Sequence, residues 1–157
     1  MKLELKHIVG YLPYKINCMA QGEGKKIFQI QGITDFTDVD LHEIGRTVNE
    51  QYDLEDIFPI LRPLSDLTKE IEINGETFVP IEELRRIDEK ICFSDDRFMD
   101  YDDGKNKNTL HFSFYDIFSY SLGFDEISDI IEKLDEWHFD WRYDLIKNGL
   151  AIDINTL

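Results

Sequence analysis

The sequence predicts an α+β protein in which small antiparallel hairpins pack against a long amphipathic C-terminal helix and shorter helices. Three observations carry that prediction. Asn74-Gly75 sits between the alternating runs Ile71-Glu72-Ile73 and Glu76-Thr77-Phe78-Val79, and a two-residue turn of this kind wants both central residues at positive φ. Residues 15–20 and 25–33 flank a Gln-Gly-Glu-Gly turn, and Ile27, Phe28 and Ile30 are set among Lys26, Gln29 and Gln31. Phe124, Ile127, Ile130, Ile131, Leu134, Trp137, Trp141 and Leu145 recur at helical spacing as one stripe.

Taken in order, the chain begins with a turn around Pro13 and a hairpin formed by residues 15–20 and 25–33. Residues 35–56 are acidic and irregular, with a short helix expected over Leu41–Tyr52. Pro59 and Pro63 bracket an extended segment, because a residue before proline avoids the α region. Leu64, Leu67 and Ile71 then suggest a short helix from Pro63. The Asn-Gly hairpin follows, with two-residue closure placing Ile73 opposite Glu76 and Ile71 opposite Phe78. From Pro80, the residues Ile81, Leu84, Ile87 and Ile91 give a helix one apolar face. Residues 94–108 read as a polar loop turning at Asp103-Gly104, and Thr109–Tyr115 as a strand. The long stripe comes next, with Asp125 and Glu126 in its first turn and Asn148-Gly149 as its stop. Ala151–Ile154 offers a last strand.

A chain of 157 residues with 42% apolar content fits one domain, residues 1–157, with a buried core. The N-terminal stretch has neither the apolar run nor the small-residue cleavage site of a signal peptide, and no segment has the length of a membrane helix. Two cysteines, Cys18 and Cys92, make neither a disulfide framework nor a zinc site, so a cytoplasmic, reducing compartment is expected. The net charge is −16, and it is unevenly spread: the first 33 residues hold five Lys and two Glu, so the acidic excess lies beyond them. Binding a duplex requires cationic side chains that displace counterions from phosphate, so direct nucleic-acid binding is not expected. An acidic face that attracts a basic protein and a merely solvated acidic surface both fit this balance.

No pattern in the chain names a catalytic residue. His7, His42, His111 and His138 are scattered, with no pair at i, i+4, and Gly22-Glu23-Gly24 lacks the lysine and helix of a phosphate loop. Cys18 near Lys15 reads as a buried strand cysteine more readily than as an activated thiol. The aspartates form two groups: Asp35, Asp38 and Asp40, then Asp100, Asp102 and Asp103 ahead of Gly104. Neither has calcium-loop spacing, and no metal or cofactor is expected. They are the candidate contacts for a partner with a basic surface. Arg62, held between two prolines, and Trp137, His138 and Trp141 in Trp-His-Phe-Asp-Trp are the alternative candidates, for a nucleotide or other small ligand.

Three blocks also carry a resemblance: YLPYKI near the start; PILRPLSDLTKEIE with EINGETFVPIEEL in the middle; and EWHFDWRYDLIKNGLAIDINTL at the end. In this order they resemble a group of short, uncharacterised phage and prophage proteins of Bacteroidetes bacteria. The chain departs from that pattern at WRYD, where the group has a less polar run. The resemblance implies a phage gene product in a bacterial cytoplasm and brings no catalytic or binding residue with it. The expected function is therefore that of a phage accessory protein that binds and inhibits a host nucleic-acid-binding or defence protein. Sequestering a nucleotide or small ligand is the alternative, and a metal-dependent hydrolase built on the aspartates is the third reading.

Overall fold

The computed structural model describes residues 2–35, 37–45, 49–87, 91–95, 98–102, 107–111 and 124–157, with the backbone alone for those within 91–111 and for 124–127. It falls into two compact units, Met1–Arg62 with Tyr143–Leu157, and Pro63–Arg142. The second is thus an insertion in the sequence of the first.

The first unit opens with α1, Leu5–Ile8, and a 3-10 turn at Leu12–Tyr14, followed by β1, Asn17–Ala20, and β2, Phe28–Ile33. The expected hairpin is present, with Cys18 opposite Phe28. Gly22 and Gly24 take φ of 84° and 67° in its turn, a backbone region that costs glycine nothing. Two more strands follow, β3, Asp38–Glu43, and β4, Asn49–Asp53, and they pair antiparallel. This corrects the helix expected over Leu41–Tyr52. Val39 and Leu41 are buried while Asp38, Asp40 and His42 are only partly so. That is the period of two that a half-buried strand requires. A bulge between Ile30 and Gly32 shifts β2 by one residue, which returns Ile33 to the core side opposite Val39. β5, Ile57–Leu61, is the extended segment that Pro59 and Pro63 foretold.

In the second unit a 3-10 segment, Leu64–Thr68, leads into β6, Ile71–Ile73, and β7, Glu76–Phe78. Their register is the one that the Asn-Gly turn requires, Ile71 with Phe78 and Ile73 with Glu76. Asn74 and Gly75 take φ of 54° and 84°. α2, Pro80–Ile87, buries Ile81 and Leu84. The polar segment expected to be a loop instead holds β8, Ile91–Asp95, and β9, Phe98–Asp102, with β10, Lys107–His111, completing an antiparallel sheet in the order β10-β9-β8. The proposed turn at Asp103-Gly104 lies outside the described residues.

α3 runs over Phe124–Glu136 and no further. His138 takes φ of 58°, its N–H donates to Asp135 O at 3.0 Å, and the Phe139 N–H donates to Leu134 O at 2.9 Å. These two bonds with a left-handed residue form a Schellman cap, completed by the buried pair Leu134 and Phe139. A histidine here fills the position that glycine usually takes. The cap gives a test by sign. His138→Ala should be about 1 kcal/mol less stable than His138→Gly. A helix continuing through this residue would reverse that order. Urea unfolding followed by tryptophan emission decides between them.

After the cap the chain returns to the first unit, where a single helical turn closes at Gly149, φ 69°, through Leu150 N–H to Leu145 O at 2.8 Å. β11, Ile152–Asp153, then pairs parallel with β5 at Ile60 and Leu61. The sheet order β11-β5-β1-β2-β3-β4 makes a six-stranded mixed sheet. The fold is therefore mostly β with few, short helices, and the long C-terminal helix of the sequence reading does not exist. Its stripe divides between two cores. Trp137 and Trp141 pack with Ile71, Ile81 and Leu84, whereas Leu145 packs with Ile8, Ile16 and Cys18.

His7 ties down the start of the first unit. It is 1% exposed, its Nδ1 accepts the Glu4 N–H at 2.9 Å, and its ring meets Tyr143 edge-on with centroids 4.8 Å apart. Burial, with the nearby Lys6 charge, holds its pKa below the usual value of 6.5. The folded state thus favours neutral imidazole, whose Nδ1 must stay free to accept. Its contribution is complete above pH 6.5 and is lost as pH falls below that value toward the depressed pKa. His7→Asn keeps an acceptor but cannot titrate. Its urea midpoint by circular dichroism should depend less on pH between 7 and 5 than that of the wild type, at roughly unit pH steps.

Candidate functional site

The β3–β4 hairpin forms the acidic side of the sheet. Strand alternation turns Val39 and Leu41 toward the core and sets Asp38, Asp40 and His42 on the other face. Antiparallel pairing then aligns Asp38 with Asp53, Asp40 with Gln51, and His42 with Asn49. Three aspartates thus share one face, although Asp53 is remote from the other two in sequence. Gln51 Nε2 donates to Asp38 Oδ2 at 3.1 Å, Thr34 Oγ1 donates to Asp40 Oδ1 at 3.1 Å, and His42 Nδ1 lies 3.1 Å from Asn49 Oδ1. Desolvation raises the Asp38 pKa, and the hydrogen bond with Asp53 and the Asp35 charge add to that rise. The local field is negative enough to make ionisation of Asp38 harder.

Asp35 sits in the turn before β3. Its Oδ1 accepts from the Thr37 N–H at 2.7 Å and the Thr37 hydroxyl at 2.8 Å. These two bonds, the backbone one first, lower its pKa and keep it charged. On the other side of the sheet Tyr52 packs on Phe28 with centroids 5.7 Å apart. Its hydroxyl donates to Glu50 at 3.0 Å, and its pKa is pushed up to about 12, chiefly by desolvation and then by Glu50.

The second aspartate group belongs to the other unit. Asp100 and Asp102 lie on β9, their backbones opposite Thr109 and Lys107 of β10, and Asp103 is outside the described residues. Among the described residues no group of three or more His, Cys, Asp or Glu is placed to hold a metal ion.

The alternative candidates are also divided. Arg62 ends the first unit, and Trp137, His138 and Trp141 belong to the second. Both indoles are 6% exposed. Trp137 packs on Phe78 at 5.2 Å, and Trp141 Nε1 donates to Asp135 Oδ1 at 2.8 Å. Arg142 pairs with the other oxygen of Asp135 and lies over the Trp141 ring at 4.5 Å. Burial raises the Asp135 pKa, with the Trp141 and Arg142 contacts opposing the rise. The tryptophans thus serve packing, with no open ring face for a base to stack on. Cys18 is fully buried, and burial pushes its thiol up to about 12, which removes the thiolate that nucleophilic chemistry needs.

A groove of about 660 Å³ lies beside the end of β4, lined by Lys2, Leu3, Glu4, Leu5, Lys6, Thr37, Asp53, Leu54 and Glu55. Lys2 pairs with Glu55 at 2.7 Å and Lys6 with Glu4 at 2.8 Å, so those four charges compensate one another and Asp53 leaves the lining with a net negative charge.

The sequence reading singled out Asp35, Asp38 and Asp40 but not Asp53 or Glu50. The alternation of Val39 and Leu41 with polar residues was the signal that could have revealed the hairpin. No protein-family model, curated protein or solved structure matches this chain. Among the described residues no helix is long and apolar enough to cross a membrane.

Proposed function

We propose that this chain acts by binding, as a phage accessory protein in the bacterial cytoplasm that inhibits a basic host protein. A nucleic-acid-binding or defence factor is the natural target, since such proteins carry cationic surfaces that an acidic face can occupy. The observation that carries this reading is the convergence of Asp38, Asp40 and Asp53 on the solvent side of one hairpin, with Asp35 in the adjoining turn. The net charge of −16 supports it by adding long-range attraction. The phage setting rests on the motif resemblance.

Pull-down from host lysate tests it. The wild-type chain should retain a basic protein in a salt-sensitive manner. A variant with Asp35, Asp38 and Asp40 changed to Lys should lose it while keeping the wild-type circular dichroism spectrum. Retention of the same protein by that variant overturns the acidic-face reading.

A further inference from the structure

The hairpin that carries the acid also ends the sheet. β4 is last in the strand order, and among the described residues no strand pairs with its outer side. Asn49, Glu50, Gln51 and Asp53 are exposed. The Leu54 N–H donates to Thr37 O at 2.6 Å, which fixes the phase of the ladder. Since the pairing alternates, Glu50 and Tyr52 turn their backbone groups toward β3. Asn49, Gln51 and Asp53 turn theirs outward. An outward row of N–H and C=O groups is a template for one more strand. The same three residues place their side chains on the face of Asp38 and Asp40.

We propose that this edge takes up an extended basic segment of the partner as a seventh, antiparallel strand. The inference deepens the acidic-face reading and rests on it. The open edge supplies the binding geometry, and the surrounding charge selects the occupant. Residues 34–61 hold eight carboxylates against one arginine, so a second copy of this chain is repelled and a cationic strand attracted. The phase is also set. A residue opposite Asn49, Gln51 or Asp53 exchanges backbone hydrogen bonds with it, and its side chain shares the acidic face. Lysines or arginines should therefore occupy alternate positions, and their own amides should bond β4.

Fluorescence anisotropy with the full chain tests this, using a labelled synthetic peptide of about nine residues that alternates lysine with threonine or valine. N-methylating the lysine amides should weaken binding at least about tenfold, whereas N-methylating the threonine and valine amides should not. An isomer with its lysines in one block should bind as weakly as the lysine-methylated peptide. Gln51→Pro, which removes one outward N–H without changing charge, should match that loss. Equal binding of all the peptides overturns strand addition and leaves the acidic-face reading standing. Binding of none of them overturns both.

Discussion

Replacing Asp135 by alanine is expected to destabilise the second unit by about 3–5 kcal/mol, the usual cost of removing one partner from a buried ion pair. Asp135 is 5% exposed, and the Arg142 side chain with which it pairs is 16% exposed. Truncation removes a close charge partner of the guanidinium in a largely enclosed site, and it removes the acceptor of the Trp141 N–H. Asp135→Asn keeps an oxygen for Trp141 and should cost less than alanine. The readout is clean because both tryptophans of the sequence lie in this unit. Urea unfolding followed by indole emission therefore reports it directly. A loss under about 1 kcal/mol for the alanine variant would place the pair among exposed ion pairs.

The second large effect belongs to the first unit. Leu41→Ala should cost about 2–5 kcal/mol, because Leu41 is fully buried and a leucine removed from a core leaves a cavity as well as losing burial. Val39→Ala should also destabilise, by less, as a smaller side chain. Ile44→Ala should be nearly neutral, since Ile44 is 61% exposed. A helix over this segment would give another pattern, with Leu41 and Ile44 on one face. In a Cys92→Ser background, Cys18 is the sole thiol and lies in the first unit's core. Its exposure to a thiol reagent in urea follows this unit separately from the tryptophans. Similar losses for Leu41 and Ile44 would rule out the strand.

These contrasts show what was legible. The Asn74-Gly75 turn was read with its register because two residues and their φ requirements settle it locally. The first hairpin, the extended Pro59 segment and α2 were local in the same sense, although α2 spans Pro80–Ile87 and Ile91, expected on its apolar face, begins β8. The β3–β4 hairpin was missed because its strands are largely polar and Gly45 weakens any pattern across them. β8 and β9 were missed because charged residues interrupt them, so that Ile91 was read onto the preceding helix and Ser94 onward as a loop. Two of the site's aspartates, Asp38 and Asp40, share a face through strand period alone. Asp53 joins them only through cross-strand pairing, which no local pattern encodes.

The long stripe from Phe124 to Leu145 teaches the complementary lesson. Its helical spacing is real, but periodicity records which residues are apolar and not which core they enter. Trp141 and Leu145 are four residues apart and belong to different cores. The sequence by itself determined the turns, the apolar content and the acidic charge, because these depend on φ preferences and composition. Only the tertiary structure decided where α3 stops, that β11 returns beside β5, and that β4 lies at the sheet's edge. The strand placements depend on hydrogen bonds between residues far apart in the chain, and α3 ends at its local cap because burying Trp141 and Leu145 in two different cores outweighed the propensity to extend one helix.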